Sequence, residues 1–302
     1  MTAERTGTTV TLLGTSGGPV PVRGRAMTAQ TVEVDGAAYL VDCGAGALQR
    51  LIEAGVPIAT LRALLVTHLH ADHVADYFAT IAAGKPFAAG GGFPQPLQVV
   101  GPPGMRDLHE GVLGAFACAL ETQYRASGLG PGLRELVEVR ELAAPADGAE
   151  PFEVYADAHV RVTAALADHP PIAPCFAFRF DTDGGSIVFS GDGVPSPGVL
   201  ALAAGADLLV HEAMHAQAML DHGAPERFVA MLRRSHTDVT QVGAVARECG
   251  ARRLVLSHLI PLLPGSSDPP AFDAEAWLAP VRADYDGPVV LGSDLMRIRL
   301  RR

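Results

Sequence analysis

The sequence predicts a protein of the α+β class in which two β-sheets pack face to face and helices cover the outside. Two observations lead to this fold class. β-rich segments open each half of the chain, and each is followed by a region in which strands and helices alternate. In addition, 48% of the 302 residues are apolar and 19% are charged, a composition typical of a chain that buries a large core.

The first β-rich segment predicts a strand, a hairpin and a helix in succession. "TVTLLGTSGG" is typical of a strand that ends in a glycine turn, and residues 28–44 are typical of a hairpin around Asp35–Gly36. Residues 46–55 have helical apolar spacing and a terminal glycine. A short buried strand, "LRALLVTH", and a helix at 74–84 are predicted next.

The middle of the chain is predicted to be an insertion of loops and helices around residues 84–150. "GKPFAAGGGFPQP" predicts a loop before the strand "LQVVG", residues 105–142 are predicted to be mostly helical, and 143–151 are predicted to form a surface loop. Because the composition changes little along the chain, the sequence favours a single domain over residues 1–302.

The second half predicts five more strands, with the sequences "HVRVTAAL", "CFAFRF", "SIVFSGD", "ADLLVHEA" and "RRLVLSHL". "DVTQVGAVARECG" is predicted to be a helix with Thr237 or Asp238 as its cap, and another helix is expected near 273–283. The last strands are predicted in "GPVVLGSDLMRIRL". This order of elements fits two sheets with helices outside them.

Composition also indicates which binding partners and which cellular compartment fit the chain. The chain has 33 acidic and 23 basic residues and a net charge of −10, so its surface as a whole repels nucleic-acid phosphates and anionic membranes. No apolar stretch approaches the roughly 20 residues of a membrane helix, and the N-terminus lacks the pattern of a secretory signal. Four cysteines are widely spaced, which predicts reduced, buried thiols in a cytoplasmic protein.

Polar residues follow five of the apolar strands, where catalytic groups are commonly presented. These residues are His68, His70, Asp72 and His73 after "ALLV", His169 after "TAAL", Asp192 after "SIVFSG", His211 and Glu212 after "ADLLV", and His258 after "RLVLS". A lone histidine would be unremarkable, but five such sites suggest that the strand ends converge.

Imidazole and carboxylate groups together favour zinc, with Fe²⁺ and Mn²⁺ as competitors. The spacing H-x-H-x-D-H cannot lie on one helix face because residues i and i+2 point apart, so it predicts a loop around metal ions. One tetrahedral zinc needs four ligands, whereas the chain offers seven candidates, which predicts two metal ions. The candidates are His68, His70, Asp72, His73, His169, Asp192 and His258.

The motif "THLHADH" resembles the signature of the metallo-β-lactamase fold superfamily. "GTSGGPVPVRGRAMTAQTVEVDGAAYLVDCGAG", "SGD", "HEA" and "SHTDVTQVGAVARECGARRLVLSHL" further resemble ribonuclease Z, the tRNA 3′-end endonuclease, and its small-hydrolase and arylsulfatase-like relatives. The resemblance covers nearly the whole chain in order. It implies a four-layer αββα sandwich with the metals at one edge of the sheets.

The resemblance also implies roles for the candidate residues. His68, His70 and His169 would hold the first metal, Asp72, His73 and His258 the second, and Asp192 would bridge both. Glu212 of "HEA" and His236 of "SHT" match a pair that assists proton delivery to the leaving oxygen in the ribonuclease Z-like branch. A homodimer is expected from the resemblance alone.

The same roles follow a consistent chemical logic. Two cations lower the pKa of a bridging water and make hydroxide available for attack on an ester. Asp72, a ligand with a spare oxygen, can orient that water, and a leaving group needs a proton from a histidine held by a carboxylate, here His236 and Glu212. Asp42 is expected to support a metal-bound histidine. The predicted catalytic residues are therefore Asp72, Glu212 and His236.

We predict a metal-dependent hydrolase with two Zn²⁺ ions that cleaves a small phosphodiester, sulfate ester, carboxylic ester or lactone. The alternative is a tRNA 3′-processing endonuclease. We disfavour nucleic acid because residues 121–158 contain Arg125, Arg134 and Arg140 but more acids than bases, whereas ribonuclease Z clamps tRNA with a basic arm. A second alternative is a non-hydrolytic metal-binding protein, against which the pair of Glu212 and His236 argues.

Overall fold

The computed structural model describes residues 7–85, 92–120, 122, 132–145, 150–260 and 273–300. Within these residues the strands are β1 Thr8–Gly14, β2 Ala29–Val34, β3 Ala37–Val41, β4 Leu61–Leu65, β5 Leu97–Gly101, β6 Val137–Glu141, β7 Phe152–Ala156, β8 Arg161–His169, β9 Ile172–Thr182, β10 Gly185–Phe189, β11 Leu208–Met214, β12 Leu254–Ile260, β13 Val289–Leu291 and β14 Met296–Leu300.

Helices connect these strands. They are α1 Ala47–Glu53, α2 Ala71–Val74, α3 Tyr77–Ala83, α4 Met105–Ala115, α5 Pro197–Leu202, α6 Ala216–Asp221, α7 Glu226–Leu232, α8 Val239–Glu248 and α9 Ala274–Arg282, with short 3₁₀ helices at Ile58–Thr60 and Leu133–Leu136. Within the described ranges, none of these helices combines the length and apolar character that a membrane span requires.

The strands form two mixed sheets of seven strands each. The first sheet has the order β14-β1-β2-β3-β4-β5-β6, and the second has the order β13-β12-β11-β10-β9-β8-β7. In both sheets one side is an antiparallel meander and the other is parallel, with β3 to β6 parallel in the first and β10 to β13 parallel in the second. Parallel strands need crossovers, which accounts for the helices between them.

Strand periodicity explains the layers. On β9, Phe176, Phe178 and Phe180 are two residues apart and point to one face, where they pack in a core with buried residues of the first sheet such as Tyr39. Ala177, on the opposite face of β9, belongs to a core that includes residues of α5, α8 and α9. A third core lies between the first sheet and α1, α3 and α4. The predicted fold class, an αββα sandwich, is confirmed.

The aromatic core between the sheets predicts a large loss of stability on truncation. Phe178 is fully buried, so Phe178→Ala should lower the free energy of unfolding by about 3–5 kcal/mol, because it removes apolar contacts and leaves a cavity. Urea denaturation at fixed metal content measures this loss. Val290→Ala, on an exposed position of β13, should change stability by less than about 0.5 kcal/mol, and equal effects would contradict this assignment of the core.

Several local predictions are confirmed in detail. Asp35 and Gly36 both have positive φ (47° and 83°) and connect β2 to β3, as a type I′ hairpin turn requires. Asp238, one of the two expected caps, accepts a hydrogen bond from the Thr240 amide at the start of α8.

The prediction that residues 105–142 are mostly helical is wrong for the C-terminal part of this range. α4 stops at Ala115, and residues 137–141 form β6, which pairs in parallel with β5. The sequence "VEVRE" alternates apolar and charged residues with period two, which favours a strand at the edge of a sheet. Part of the predicted insertion, including Arg125, lies outside the described residues, and the single-domain organisation stays a prediction.

Candidate metal centre

The candidate site lies at the carboxyl ends of strands from both sheets. His68 and His70 follow β4, Asp192 follows β10, Glu212 lies near the end of β11 and His258 near the end of β12. Since these strand ends meet at one edge of the sandwich, loops and last strand residues bring their side chains together. The convergence expected from the sequence is observed.

A β-bulge places the last histidine. Glu212 pairs with Ser257 and Ala213 pairs with Leu259, so His258 is the extra residue of β12. It has a positive φ of 44°, which is unusual for a residue with a side chain. A Cβ atom on Gly17 would lie 2.6 Å from His258 Nδ1, so the loop after β1 needs glycine at that position.

The motif H-x-H-x-D-H divides between a loop and one helical turn. His68 lies before α2, His70 is the N-cap of α2 with extended backbone, and Asp72 and His73 lie in α2 itself. The prediction of a loop for the whole motif is therefore wrong for its second half. The change of backbone direction at His70 allows the two halves to face different sides of the same cluster.

His68, His70 and His169 form the first group that could hold a metal ion. His70 Nδ1 lies 2.8 Å from His68 Nε2 and 3.3 Å from His169 Nε2. Burial lowers the pKa of all three imidazoles, and neighbouring histidines lower those of His68 and His70 further. A neutral imidazole has a free lone pair, which is the form that binds a metal.

Asp72, His73 and His258 form the second group. Asp72 Oδ2 lies 3.2 Å from His258 Nε2 and 3.7 Å from His73 Nε2. All three side chains are buried. Although burial opposes it, hydrogen bonds and nearby histidines hold the pKa of Asp72 well below its usual range, so the group is a carboxylate at neutral pH.

Asp192 lies between the two groups. Its Oδ2 atom is 3.1 Å from His258 Nε2, 3.3 Å from His73 Nε2 and 3.9 Å from His68 Nε2. Despite complete burial, the neighbouring histidines hold the pKa of Asp192 well below its ordinary value. One buried carboxylate thus faces histidines of both groups, as a bridging ligand must.

The donor set fits metal ions better than it fits a hydrogen-bonded polar core. Within the described residues, His73 Nε2 is buried and has no hydrogen-bond partner, although it lies 3.3 Å from Asp192 Oδ2, and such an atom is costly in a core without a cation. The Asp192 and Asp42 carboxylates raise the pKa of His73 although burial opposes it. The site therefore favours positive charge at that imidazole, which a divalent cation supplies.

Hydrogen bonds outside the cluster orient the imidazoles. His73 Nδ1 donates to Asp42 Oδ2 at 2.9 Å, and His169 Nδ1 donates to the Ser235 carbonyl at 2.6 Å. Thr67 Oγ1 donates to Asp42 at 2.9 Å and lies 3.1 Å from His68 Nδ1. In His68, His73 and His169 alike, the contact at Nδ1 leaves Nε2 directed at the cluster. The sequence suggested Asp42, but Thr67 and the Ser235 carbonyl carried no recognisable signal.

Glu212 and His236 form a buried pair beside the cluster. Glu212 Oε1 lies 3.0 Å from His236 Nδ1 and accepts the Gly193 amide at 2.8 Å. Although burial opposes the charged form, Glu212 and Asp192 raise the pKa of His236 to about 9. His236 Nδ1 is 4.0 Å from Asp192 Oδ2, so the pair adjoins the predicted metal centre. His211 points elsewhere, with Nδ1 donating to the Glu212 carbonyl.

Comparison with known proteins places this geometry in a family. Residues 38–259 match the sequence model of a protein family, which is described as the beta-lactamase superfamily domain. The ribonuclease Z of Mycobacterium marinum (strain ATCC BAA-535 / M) is 35% identical, and the match covers 96% of this chain and 98% of that protein.

Two solved structures share the fold. Human tRNase Z, short form, is 23% identical with a TM-score of 0.68 and coverage of 97% and 100%. The metallo-beta-lactamase fold protein YhfI from Bacillus subtilis is 19% identical with a TM-score of 0.68 and coverage of 97% and 99%.

These findings correct the predicted substrate and partner. The curated relatives that match over nearly the whole chain are named ribonuclease Z, so the preference for a small-molecule ester, with nucleic acid disfavoured, is wrong. Net charge was the wrong measure, because it averages over the whole surface. Exposed Arg233 and Arg234 lie three and two residues before His236 in the chain, so local positive charge can coexist with an acidic chain.

Other predictions are confirmed. The chain is a metal-dependent hydrolase that acts on ester bonds, so the non-hydrolytic alternative is not supported. The His/Asp groups make it a metal-binding protein. With the family model matching most of its length and a full-length relative 35% identical, the chain belongs to the metallo-β-lactamase superfamily, in its ribonuclease Z branch.

Proposed function

We propose that this chain is an endonuclease that removes the 3′ trailer from precursor tRNA by hydrolysing one phosphodiester bond. The observation that carries the proposal is the match to ribonuclease Z over 96% of this chain and 98% of the relative. The converging His/Asp cluster with an adjacent Glu–His pair supports the same reaction, because phosphodiester hydrolysis needs both an activated water and an acid for the leaving oxygen.

We assign the two groups of ligands to two zinc ions. His68, His70 and His169 would hold one ion, Asp72, His73 and His258 the other, and Asp192 would contact both. Five imidazoles and two carboxylates favour zinc, while Mn²⁺ and Fe²⁺ can use the same donors. When bound, two such ions supply Lewis acidity and a water that is nucleophilic at neutral pH.

Asp72 has a second role, which is to orient the attacking water. Its Oδ2 atom accepts the Gly18 amide at 2.7 Å, so the carboxylate is held from the β1 loop as well as from α2. A carboxylate fixed in this way can accept a hydrogen bond from the water and align a lone pair with the phosphorus atom. Gly18 thus contributes through its backbone rather than through a phosphate-binding loop.

His236 is assigned as the acid that protonates the leaving ribose oxygen. Because Nδ1 faces Glu212 Oε1 at 3.0 Å, Nε2 is the nitrogen left to face the substrate. The carboxylates of Glu212 and Asp192 raise the pKa of His236, which favours the protonated imidazole that a general acid requires. A ribose alkoxide is a poor leaving group, so this proton transfer has a large effect on the rate.

The charge of the centre suits an anionic substrate. Two divalent ions with the carboxylates of Asp72 and Asp192 leave a charge of about +2, which attracts a phosphodiester. Exposed Arg233 and Arg234 precede His236 in the chain, and arginine forks bind phosphate oxygens well. These side chains are therefore candidates for contacts with the RNA backbone.

The test of the proposed function is cleavage of a precursor tRNA that carries a 3′ trailer. The metal-loaded protein should release mature-length tRNA, with the cut mapped by sequencing of the 3′ end. Mature tRNA without a trailer is the matched control and should stay intact. If a preparation with two metals per chain leaves the precursor uncut at several salt concentrations, the proposed function is wrong.

Asp42→Asn should weaken metal binding without removing a ligand. Asp42 is buried and accepts from His73 Nδ1, so the amide loses the charge that orients and polarises this imidazole. We expect the affinity for zinc to fall by about 10- to 100-fold, measured by competition with a chelator. Asp221→Asn, on the exposed end of α6, is the control, and an equal affinity in both variants would refute the supporting role.

A further inference from the structure

A second cluster of charged side chains lies at the opposite end of the sandwich from the histidines. A cavity of about 900 Å³ opens at the starts of β10, β11 and β12, and the end of β14 in the other sheet also lines it. Arg253, just before β12, is five residues from His258, so about 17 Å of strand separate the cavity from the metal centre. The cavity is therefore distinct from the site described above.

The lining of this cavity is positively charged although the chain is acidic. Four arginines and two aspartates line it, which gives a local formal charge of about +2 within a chain of net charge −10. The arginines are Arg179, Arg252, Arg253 and Arg299. A concave surface with a net positive charge concentrates anions.

Both aspartates of the cavity are engaged with protein donors. Arg179 Nε donates to Asp181 Oδ1 at 3.0 Å. Asp207 Oδ1 accepts from Arg252 Nη1 at 3.1 Å, and its Oδ2 accepts the Ser186 amide at 2.8 Å. These contacts neutralise two of the four arginines, so the remaining charge of the cavity is carried by the other two.

The other two are Arg253 and Arg299, for which the described part of the chain provides no carboxylate partner. Arg253 is half-buried, and its Nη1 donates to the Arg299 carbonyl at 3.4 Å. The two residues belong to different sheets, since Arg253 precedes β12 and Arg299 lies in β14. A half-buried cation without a counter-charge is unfavourable, and a bound anion would remove that cost.

We propose that this cavity binds a small ligand with two or more linked phosphate groups, such as a nucleoside triphosphate or an inorganic polyphosphate. Its volume lies in the range typical of small-molecule pockets. Guanidinium groups bind phosphate oxygens in a bidentate manner. Because the two unpaired guanidinium groups come from different sheets, a chain of phosphates matches them better than a single small anion does.

Calorimetric titration of the metal-loaded protein tests the proposal. Inorganic tripolyphosphate and ATP should bind, whereas adenosine, which lacks phosphate, should not. Equal affinity for both phosphate compounds would identify the phosphate chain as the whole ligand, and tighter binding of ATP would indicate that the cavity also accepts the nucleoside. Saturable binding of adenosine at the same affinity as ATP would overturn the proposal.

Arg253→Gln and Arg299→Gln locate the binding. Each should weaken tripolyphosphate binding by about tenfold or more, since each removes hydrogen bonds to a charged group. Arg282→Gln, on α9 where Arg282 pairs with Glu275, is the control and should bind like the wild type. Arg253→Lys, which keeps the charge but loses the fork, should fall between, and thermal unfolding confirms that each variant is folded.

Two other outcomes would overturn the proposal. If tripolyphosphate binds all variants equally but is lost when the metal is removed, it binds at the metal centre instead. If neither phosphate compound binds, but Arg253→Gln and Arg299→Gln raise KM for precursor tRNA, the cavity contacts RNA rather than a small ligand. Because the titration measures no cleavage, its result is independent of whether the proposed endonuclease activity is correct.

Discussion

Asp192→Ala should abolish precursor-tRNA cleavage and lower the metal content in the same preparation. Asp192 Oδ2 lies between 3.1 and 4.0 Å from nitrogens of four histidines, and its buried carboxylate faces both ligand groups. Loss of the metal centre removes several kcal/mol of transition-state stabilisation, so we expect kcat/KM to fall by at least about 1,000-fold, equivalent to about 4 kcal/mol.

Elemental analysis and cleavage assays on one sample show whether activity is lost together with the metal ions or while they are retained. Asp168→Ala is the matched control, because Asp168 precedes the ligand His169 but its side chain is exposed, and it should keep both metals and activity. Metal-stripped wild type should resemble Asp192→Ala and recover when zinc returns. Full metal content and wild-type cleavage in Asp192→Ala would contradict the bridging role.

His236→Ala should retain both metals and lose turnover on substrates with poor leaving groups. His236 is not among the seven assigned ligands, and Glu212 Oε1 holds its Nδ1 at 3.0 Å. General acid catalysis contributes about 10²- to 10⁴-fold, so cleavage of precursor tRNA, with its ribose leaving oxygen, should fall by that factor. A p-nitrophenyl phosphodiester needs little protonation, so its hydrolysis should change far less.

The comparison of leaving groups is the decisive readout for His236. A structural role would slow both substrates equally, and that result would refute the assignment of the acid. Glu212→Gln provides a second variant, because the amide can still contact His236 but cannot stabilise the imidazolium. It should show the same selectivity for leaving groups to a smaller extent, again with both metals present.

Much of the site could be predicted from the sequence because its ligands are concentrated at strand ends. Apolar runs before His68, Asp192 and His258 identified the strands, and the polar residues that follow could not be explained as core. The structure brings these residues into overlapping groups that could hold a metal ion, and the two groups that the resemblance implied are among them. Glu212 and His236 were identified by resemblance, and the structure joins them in one hydrogen-bonded pair.

Other features could not be predicted because they depend on contacts between distant parts of the chain. The bulge at His258 depends on the register between β11 and β12. The role of Gly17 depends on how closely the β1 loop approaches that histidine. Thr67 and Ser235 act on imidazoles by hydrogen bonds, and single serine or threonine residues have no spacing that marks such a role.

By itself, the sequence determined the two-sheet architecture and the candidate ligands, since periodicity and strand-end polarity are local properties of the chain. The tertiary structure decided which nitrogen atoms face the cluster and how α2 splits the motif. It also revealed the arginine-lined cavity at the far end. Charge composition misled the choice of substrate because electrostatic potential depends on where charges lie in space, and only folding determines those positions.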